Sequence, residues 1–506
     1  CRQRTSPSGV RYSDHPHSGK IQDAPRAGQR YDVVVPHLSG SSLATIPAEL
    51  LQSLSAPGGG QVALVIGAGC SRGAPTSIPL AGELSRDVEH QLVLNGRLQA
   101  NQCQDPSDLA ALATLVFQLC GNSQAELVQC FPIARMRLAK PNPGYKLLVA
   151  LMAEGAVSHV LSLNFDLAVQ NAAAELGVDI STVATVNEPV PVRAALVQLH
   201  GNANSAPDQL VLRAEVMDGE WIGRWHQVVA QQVLAAPTVL FAGLGSASPV
   251  LTATMAMIQG ALGGNKALYQ ADVVPFAQSG FAAQLGIAAQ SYIQGSWDAV
   301  VTRLADRIAT RQIDALLHNG HALLSENDHN GDDLQRFAGM AAKLGGHSLL
   351  TLGKMRAFAD LDCDKLYRPH SDHDDEFISE PMLRLVRAAE NFGLDAEPTP
   401  AGTWTLRRNG QPAAQILLAS GRGVRRMAAV ESRAKTICTA IADNSPMPVD
   451  IVLIGGLIDA APPFDHIDLI ADEEPDDIIG GLVGPLLVSA NDPHYIDRIG
   501  GLLNVA

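Results

Sequence analysis

Polar residues that could act on a ligand follow several short apolar runs of this chain. Asn164 and Asp166 come directly after the run Ser158–Leu163, and His200 follows the run Ala195–Leu199. Amide, carboxylate and imidazole groups in one crevice can bind a ligand, hold a water molecule and accept a proton from it. Histidine, with an ordinary pKa of about 6.5, is well suited to that proton transfer near neutral pH. These three residues are therefore the candidate catalytic residues.

A glycine-rich turn after another apolar run is a candidate phosphate site. Val62–Ile66 has the composition of a buried parallel strand. The turn that follows consists of Gly67, Ala68, Gly69, Cys70 and Ser71. Glycines let the backbone turn sharply and approach a ligand, and a helix after the turn would point its free N–H groups at a phosphate. The dinucleotide fingerprint needs a third glycine where this chain has Arg72, so the turn is either a different kind of nucleotide site or a plain strand-to-helix turn.

Two further apolar runs also end in small polar or glycine residues. Thr238–Ala242 is followed by Gly243, Gly245 and Ser246, and Ala289–Gln294 is followed by Gly295, Ser296 and Trp297. Helical segments separate the runs, including residues 105–155, which are predicted to be helical throughout. Strands that alternate with helices predict a doubly wound parallel α/β sheet, Rossmann-like, with its ligand at the carboxyl ends of the strands.

Each candidate residue also has a purely structural alternative. Asn164 and Asp166 could cap the helix that follows them, which is the commonest role of these residue types. His200 precedes a glycine and could be a solvated turn residue, and glycine-rich strand ends are ordinary loops. Cys70 is predicted to be a structural residue of the first turn. The recurrence of such residues at five strand ends favours a common site.

Composition limits the class of protein. A chain of 506 residues with 46% hydrophobic and 17% charged residues can form large cores in two or more domains. The net charge of −15 argues against direct nucleic-acid binding, and residues 311–506 carry much of it, with 29 acidic and 17 basic side chains. Seven cysteines without a CxxC pair suit free thiols in a reducing compartment. Without a long apolar segment or a signal peptide, we expect a cytoplasmic protein that does not enter a membrane.

The predicted organisation has four parts. They are a disordered extension over residues 1–45, a nucleotide-binding domain with a helical insertion over 46–310, a linker over 311–340 that consists of a helix and a polar Asn/Asp/His segment, and a C-terminal α+β or α/β domain over 341–506. In the last part we predict a helix over Pro381–Phe392, a hairpin of Thr403–Leu406 with Gln415–Leu418, a helix over Val430–Ile441 and a strand over Val449–Ile454. The acidic runs His370–Glu376 and Asp472–Asp477 are predicted to be solvated loops.

The order of these motifs resembles the sirtuin-like NAD-binding domain, above all its bacterial branch in antiphage defence proteins. The resemblance covers roughly residues 55–310 and includes the pair Ile78–Pro79. It implies that Gly67, Ala68, Gly69 and Ser71 hold the NAD pyrophosphate, that Asn164 and Asp166 lie beside the nicotinamide ribose, and that His200 is the catalytic base. It further implies that Gly243, Gly245 and Ser246 lie near the adenosine ribose, and Ser296 and Trp297 at the adenine end.

Two departures from that family bear on the reaction. Protein deacylases carry a four-cysteine zinc module after the catalytic histidine, whereas this chain has no cysteine between Cys130 and Cys363. The deacylase loop carries Asp-Phe-Arg after its Ile-Pro pair, whereas Leu80–Glu83 stands here. The resemblance therefore implies an NAD+ hydrolase that uses NAD+ as its substrate and needs no zinc, rather than a deacylase.

Partners are also implied by the resemblance alone. It suggests a homo-oligomeric antiphage effector that stays quiescent until a protein activator, of an ATPase/helicase-like or Argonaute-like kind, releases it. The C-terminal part is then expected to sense a signal or dock a partner. The alternative is a non-catalytic subunit that binds NAD or ADP-ribose within a larger assembly.

Overall fold

The computed structural model describes residues 44–505 except 57–58, 193, 214–222, 262–265, 327–330, 361–373, 421–426, 443–446, 456–484 and 491. Residues 1–43 of the predicted extension 1–45 lie outside the described residues, and residues 44 and 45 are described. Ala44 is buried, and a Cβ placed on Gly295 would lie 2.9 Å from its side chain, so the ordered domain begins at least by this residue. The predicted loop Asp472–Asp477, and residues 370–373 of the predicted loop His370–Glu376, also lie outside the described ranges. The remaining residues of the second loop, 374–376, are the start of a helix instead.

The first sheet is parallel throughout, as the doubly wound fold requires. Its strands are β1 (Val62–Ile66), β2 (Val157–Ser162), β3 (Ser181–Val183), β4 (Ala195–Val197), β5 (Thr238–Ala242), β6 (Ala267–Asp272) and β7 (Tyr292–Gln294). Among the described residues their order is β3-β4-β2-β1-β5-β6-β7. Strand β1 is central and fully buried, and pairs with β2 on one side and β5 on the other. The carboxyl ends of β1, β2 and β5 therefore lie together, at the point where the strand order reverses.

Helices cover both faces of this sheet and continue into the C-terminal part. They are α1 (Ala48–Leu54), α2 (Ala81–Leu94), α3 (Leu109–Leu119), α4 (Ala125–Gln129), α5 (Ile133–Arg137), α6 (Pro143–Ala153), α7 (Ala168–Leu176), α8 (Arg224–Leu234), α9 (Pro249–Ala261), α10 (Gly280–Leu285), α11 (Trp297–Glu326), α12 (Gly331–Leu344), α13 (Leu349–Ala359), α14 (Asp374–Asn391), α15 (Met427–Ala442) and α16 (Tyr495–Val505).

Several sequence predictions about the first domain need correction. The segment 105–155 contains four separate helices, α3 to α6, because turns interrupt it. The predicted strand Ala289–Gln294 is extended only over Tyr292–Gln294, after one turn of 3-10 helix. Strands β3 and β6 were not predicted. In β6, Tyr269 and Gln270 interrupt the aliphatic pattern that marks the other buried strands.

The second sheet mixes parallel and antiparallel pairs. Its strands are β8 (Asp395–Pro398), β9 (Trp404–Arg408), β10 (Gln411–Ser420), β11 (Ile451–Gly455) and β12 (Leu486–Ser489). The order is β12-β11-β10-β9-β8 within the described residues. The hairpin β9–β10 is antiparallel, as predicted, while β10, β11 and β12 run parallel. The predicted helices and the predicted strand of this part correspond to α14, α15 and β11.

The predicted linker over 311–340 is helical wherever the structure describes it. Helix α11 is continuous across residue 310, so the predicted end of the first domain falls inside a helix. Leu304, Ile308 and Leu316 on this helix are buried, which explains why a stretch with several polar residues stays helical. One hydrophobic core includes residues of both sheets, for example Leu64 and Leu453.

A buried ion pair joins the two parts at the end of α6. The Arg356 guanidinium on α13 donates to Glu154, the residue that follows α6, and both side chains are almost fully buried. Gln312 on α11 donates to the same carboxylate at 2.6 Å and accepts from Arg356 at 2.8 Å. Because each charge is paired and hydrogen-bonded, this cluster holds the C-terminal part against α6.

Candidate active site

The glycine turn after β1 packs directly on the turn after β5. The Gly67 N–H donates to the Ala242 carbonyl at 2.9 Å, and the Gly69 N–H donates to the Gly243 carbonyl at 3.0 Å. A Cβ on Gly69 would lie 2.8 Å from the Gly243 Cα, and a Cβ on Gly67 would clash with Leu244. Contact between the two turns is therefore sufficient to explain these glycines. Close approach of a ligand is not needed to account for them.

The turn does not lead into an α-helix, contrary to the sequence prediction. A short 3-10 helix over Ala68–Ser71 follows Gly67, and α2 begins only at Ala81. The loop between them carries Ile78–Pro79 and returns to the turn, where the Ile78 N–H donates to the Ser71 carbonyl at 3.0 Å. Among the described residues, no long helix points its free N–H groups at the turn, and the Gly67 and Gly69 N–H groups already donate to the Ala242 and Gly243 carbonyls.

Ser71 at the end of the turn contacts the two candidate residues after β2. Its hydroxyl donates to Asp166 Oδ2 at 2.7 Å. The Asn164 amide Nδ2 lies 3.1 Å from the same hydroxyl and donates to the Gly67 carbonyl at 3.0 Å. All three side chains are buried. The structure therefore brings together the first two strand ends that the sequence singled out.

Asp166 also has the structural role considered as an alternative. Its Oδ1 accepts from the Ala168 N–H at 3.0 Å, in the first turn of α7. Asn164 does not cap this helix. Burial raises the pKa of Asp166, and the hydrogen bonds from Ser71 and Ala168 oppose that shift. Asp166 is thus a desolvated carboxyl group beside the glycine turn, the kind of environment in which perturbed functional groups occur.

Tyr145 on α6 belongs to the same network, although no sequence motif indicated it. Its hydroxyl lies 2.6 Å from the Ser71 Oγ and 3.2 Å from the Asn164 Nδ2. The Asn142 side chain caps α6 by accepting from the Tyr145 N–H at 3.0 Å, and donates to the Cys70 carbonyl at 2.8 Å. An Asn-Pro pair predicts the start of a helix, but not where that helix packs. The sequence therefore did not indicate that Tyr145 lies at the site.

The segment after β4 is fixed against the segment after β2. Gln198 lies 3.4 Å from the carbonyls of Asn164 and Asp166, to which its Nε2 donates, and its Oε1 accepts from Asn202 at 2.9 Å. The Ala203 N–H donates to the Phe165 carbonyl at 2.7 Å. These bonds place His200, between Gln198 and Ala203, on the side of the sheet that carries Asn164 and Asp166.

His200 is a buried and unusually weak base. Burial, with a smaller contribution from the neighbouring His226, lowers its pKa from 6.5 to about 4, so His200 is a neutral imidazole near pH 7. Burial also lowers the pKa of His226, which lies on α8 and was not predicted from the sequence. No hydrogen bond from a described residue orients the His200 ring.

The predicted adenosine-side residues are placed differently from one another. Gly245 and Ser246 are exposed, and a Cβ on Gly245 would meet nothing within 4 Å. The Ser296 hydroxyl caps α11 by accepting from the Ala299 N–H at 3.3 Å. The Trp297 ring lies 5.9 Å from the Tyr145 ring, between centroids, and its buried Nε1 has no hydrogen-bond partner among the described residues.

The remaining polar groups near the turn do not form a metal site. Cys70 is fully buried, and burial raises the pKa of its thiol well above the ordinary value, so it fits the predicted structural role. A cleft of about 340 Å³ opens beside Arg72, Ile78 and Arg135, where Glu83 pairs with Arg72. Within the described ranges, no group of three or more His, Cys, Asp or Glu side chains could hold a metal ion.

Comparisons with known proteins give weak matches. No protein-family model matches the chain, and no curated protein matches it. Among solved structures, a Sir2 homologue mutant with ADP-ribose is 16% identical at a TM-score of 0.30, over 53% of this chain and 98% of its own. A Sir2 homologue–NAD complex is 14% identical at a TM-score of 0.28, over 53% and 94% respectively. A complex of Sir2, a p53 peptide and NAD+ is 15% identical at 0.31, over 51% and 97%. These values are too low to assign a family or an activity.

In the part of the chain that the structure describes, no helix is both long and apolar enough to cross a bilayer.

Proposed function

We propose that the chain binds NAD+ at the carboxyl ends of β1, β2 and β5 and cleaves its nicotinamide–ribose bond. The observation that carries this proposal is the buried network of Ser71, Asn164 and Asp166 at the switch point of the sheet, with the buried His200 after the adjacent strand β4. Ligands of doubly wound folds bind at this position, and buried polar groups that converge there indicate a site.

The proposed placement of NAD+ follows the sequence resemblance. The pyrophosphate would lie on the backbone of Gly67, Ala68, Gly69 and Ser71, and the nicotinamide ribose beside Asn164 and Asp166. The adenosine ribose would lie near Gly243, Gly245 and Ser246, and the adenine near Ser296 and Trp297. The exposure of Gly245 and Ser246 leaves room for the adenosine half on that side.

The reaction needs few protein groups. The bond between the ribose C1′ and the nicotinamide nitrogen breaks, and the nitrogen keeps the electron pair, so nicotinamide leaves as a neutral molecule without a general acid. The Asp166 carboxylate would stabilise the oxocarbenium-like ribose, as carboxylates do in glycoside hydrolysis. Water held by Asn164 adds to C1′, and its proton passes to His200 and then to solvent. The products are ADP-ribose, nicotinamide and a proton.

The alternative is a subunit that binds NAD or ADP-ribose without cleaving it. The observation in its favour is the low pKa of His200, about 4, because a base that far below the working pH accepts a proton weakly. A bound ligand that places negative charge near His200 would raise this pKa. Binding of NAD+ without nicotinamide release, measured with the activating partner present, would support the alternative.

The proposal is tested by nicotinamide release and NAD+ binding with the purified full chain. We expect Asn164→Ala and His200→Ala to lower release by at least about 100-fold. The matched controls are Asn171→Ala, whose amide donates to the Arg137 and Ala139 carbonyls, and His159→Ala, whose ring contacts the Pro191 carbonyl. Both controls should keep wild-type release. A wild type that neither binds NAD+ nor releases nicotinamide would contradict the proposal.

The cellular role is proposed on the resemblance alone. We place the chain as an antiphage effector that acts as a homo-oligomer and is activated by a protein partner. The acidic excess of residues 311–506 would favour a basic partner surface, and such binding weakens with added salt. The proposed reaction needs no zinc, so a chelator should leave nicotinamide release unchanged. A chelator-sensitive wild type would count against this part of the proposal.

A further inference from the structure

Tyr145 is the one member of the buried network that does not come from a strand end. It lies in the first turn of α6 and is fully buried. Its ring packs against Trp297, with the two ring planes 58° apart, and its hydroxyl reaches both Ser71 and Asn164. A purely apolar contact would need only the ring. The hydroxyl therefore has a separate role.

The donor and acceptor capacities of these groups give the network a direction. An ionised Asp166 can only accept, so the Ser71 hydroxyl donates to it at 2.7 Å. Ser71 has then used its only hydrogen, and the Tyr145 hydroxyl must donate to Ser71 at 2.6 Å. The Tyr145 oxygen in turn accepts from the Asn164 Nδ2 at 3.2 Å. The direction runs from Asn164 through Tyr145 and Ser71 to Asp166.

This direction determines which way the Asn164 amide faces. All of its hydrogen bonds to Gly67, Ser71 and Tyr145 use the Nδ2. No residue in the described ranges donates to its Oδ1. These three acceptors fix the Nδ2 toward the buried network. The Oδ1 is then available to accept a hydrogen bond from a ribose hydroxyl or a water molecule.

We infer that Tyr145 is a positioning residue that holds the Asn164 amide with its oxygen presented to the ligand, an inference that rests on the proposed NAD+ cleavage. Besides the Gly67 carbonyl, the Nδ2 faces two hydroxyl acceptors, Ser71 at 3.1 Å and Tyr145 at 3.2 Å. Loss of the Tyr145 hydroxyl removes one of them, and it also removes the donor to Ser71, so that the remaining acceptor is free to reorient. The amide can then turn and offer its nitrogen where the ligand needs an acceptor. Small displacements of positioning groups cost reaction rate more than they cost binding.

The test uses the full chain with Tyr145→Phe, which keeps the ring against Trp297. We expect kcat for nicotinamide release to fall about 10- to 100-fold, the KM for NAD+ to change by less than about 3-fold, and the thermal midpoint to stay close to wild type. The matched control is Tyr292→Phe, which removes a hydroxyl bonded to the Val274 carbonyl at 2.6 Å, outside the network. This variant should behave as wild type.

A double-mutant cycle shows whether Tyr145 acts through Asn164. Nicotinamide release in single-turnover reactions and the NAD+ Kd are measured for Asn164→Ala with and without Tyr145→Phe. We expect the second substitution to have no further effect on either quantity. An unchanged kcat in Tyr145→Phe, or an equal loss in both backgrounds, would overturn the positioning role while leaving the proposed function intact. A wild type that neither binds nor cleaves NAD+ would overturn both.

Discussion

The two sides of the first sheet are built differently at their carboxyl ends. After β1, β2 and β4, polar side chains are buried and bonded to one another, as Ser71, Asn164 and Asp166 show. After β5 the chain exposes Gly245 and Ser246. A fixed polar network suits bond cleavage, which requires preorganised groups, whereas an open edge suits a part of the ligand that only needs to be held. The difference is consistent with the proposed placement of the two halves of NAD+.

Helix α6 connects the polar network to the C-terminal part. Helix α6 carries Tyr145 near its first turn and is followed by Glu154, which pairs with Arg356. We expect Arg356→Met to destabilise the protein by about 3–5 kcal/mol, because it removes the positive charge that compensates the buried Glu154 carboxylate. Thermal or urea unfolding measures this loss.

The double variant Glu154→Gln with Arg356→Met is the control, since it removes both charges and should recover much of the stability. Equal stability of Arg356→Met and wild type would mean that the ion pair does not hold the two parts together.

His200 should make the stability of the polar side depend on pH. Its folded pKa of about 4 lies below the ordinary value of 6.5, so between these pH values the unfolded chain binds more protons. Stability contributed by neutral His200 is thus complete above about pH 6.5 and is lost as the pH falls toward 4. Relative to His200→Gln, we expect wild type to lose roughly 3 kcal/mol over this range.

The measurement is urea unfolding of both proteins at pH values from 4 to 7. If their stabilities fall in parallel, His200 is not the group that titrates, and its low pKa is not a property of the folded protein.

The two glycine turns provide a direct contrast between a packed and an open position. Gly69→Ala should cost about 1–3 kcal/mol, because the added Cβ would lie 2.8 Å from the Gly243 Cα. Gly245→Ala should leave stability within about 0.5 kcal/mol of wild type, because its Cβ would enter open space. Thermal unfolding of both variants provides the comparison, and a larger loss for Gly245→Ala would reverse the assignment of packed and open sides.

Ser246→Ala should have the smallest effect. An exposed hydroxyl that binds a ribose contributes little, so we expect the KM for NAD+ to rise about 3-fold with kcat unchanged. Steady-state nicotinamide release at several NAD+ concentrations measures both constants. A fall in kcat would mean that this side takes part in bond cleavage, contrary to the contrast drawn above.

The sequence predicted the parts of the site that depend on local pattern. The apolar run of β1 and the residues after β2 follow from strand composition and chain order, and Asn164, Asp166 and Ser71 lie together as a parallel sheet requires. Tyr145 could not be found in this way, because its position depends on how α6 packs against the sheet. His226 was missed for a similar reason, since it lies on a helix that approaches His200 only in the folded chain.

The C-terminal part shows the same limit. Its hairpin and helices follow from periodicity, and the helix predicted within 311–340 is present. The polar segment predicted beside that helix is also helical where the structure describes it, because α11 and α12 bury apolar residues such as Leu316 and Phe337. Most of the polar residues described in that stretch lie on the exposed face of the helices. Whether such a stretch is helical depends on the packing of its apolar face in the folded protein, and a single sequence does not show this packing directly.

The most direct test of the central claim is a crystal structure of His200→Ala with NAD+, since this variant should bind the dinucleotide without turning it over. We expect the pyrophosphate on the Gly67–Ser71 backbone and a nicotinamide-ribose hydroxyl within hydrogen-bond distance of the Asn164 Oδ1. NAD+ bound elsewhere, for example in the cleft beside Arg72 and Arg135, or with its adenosine half at Asn164, would contradict the account.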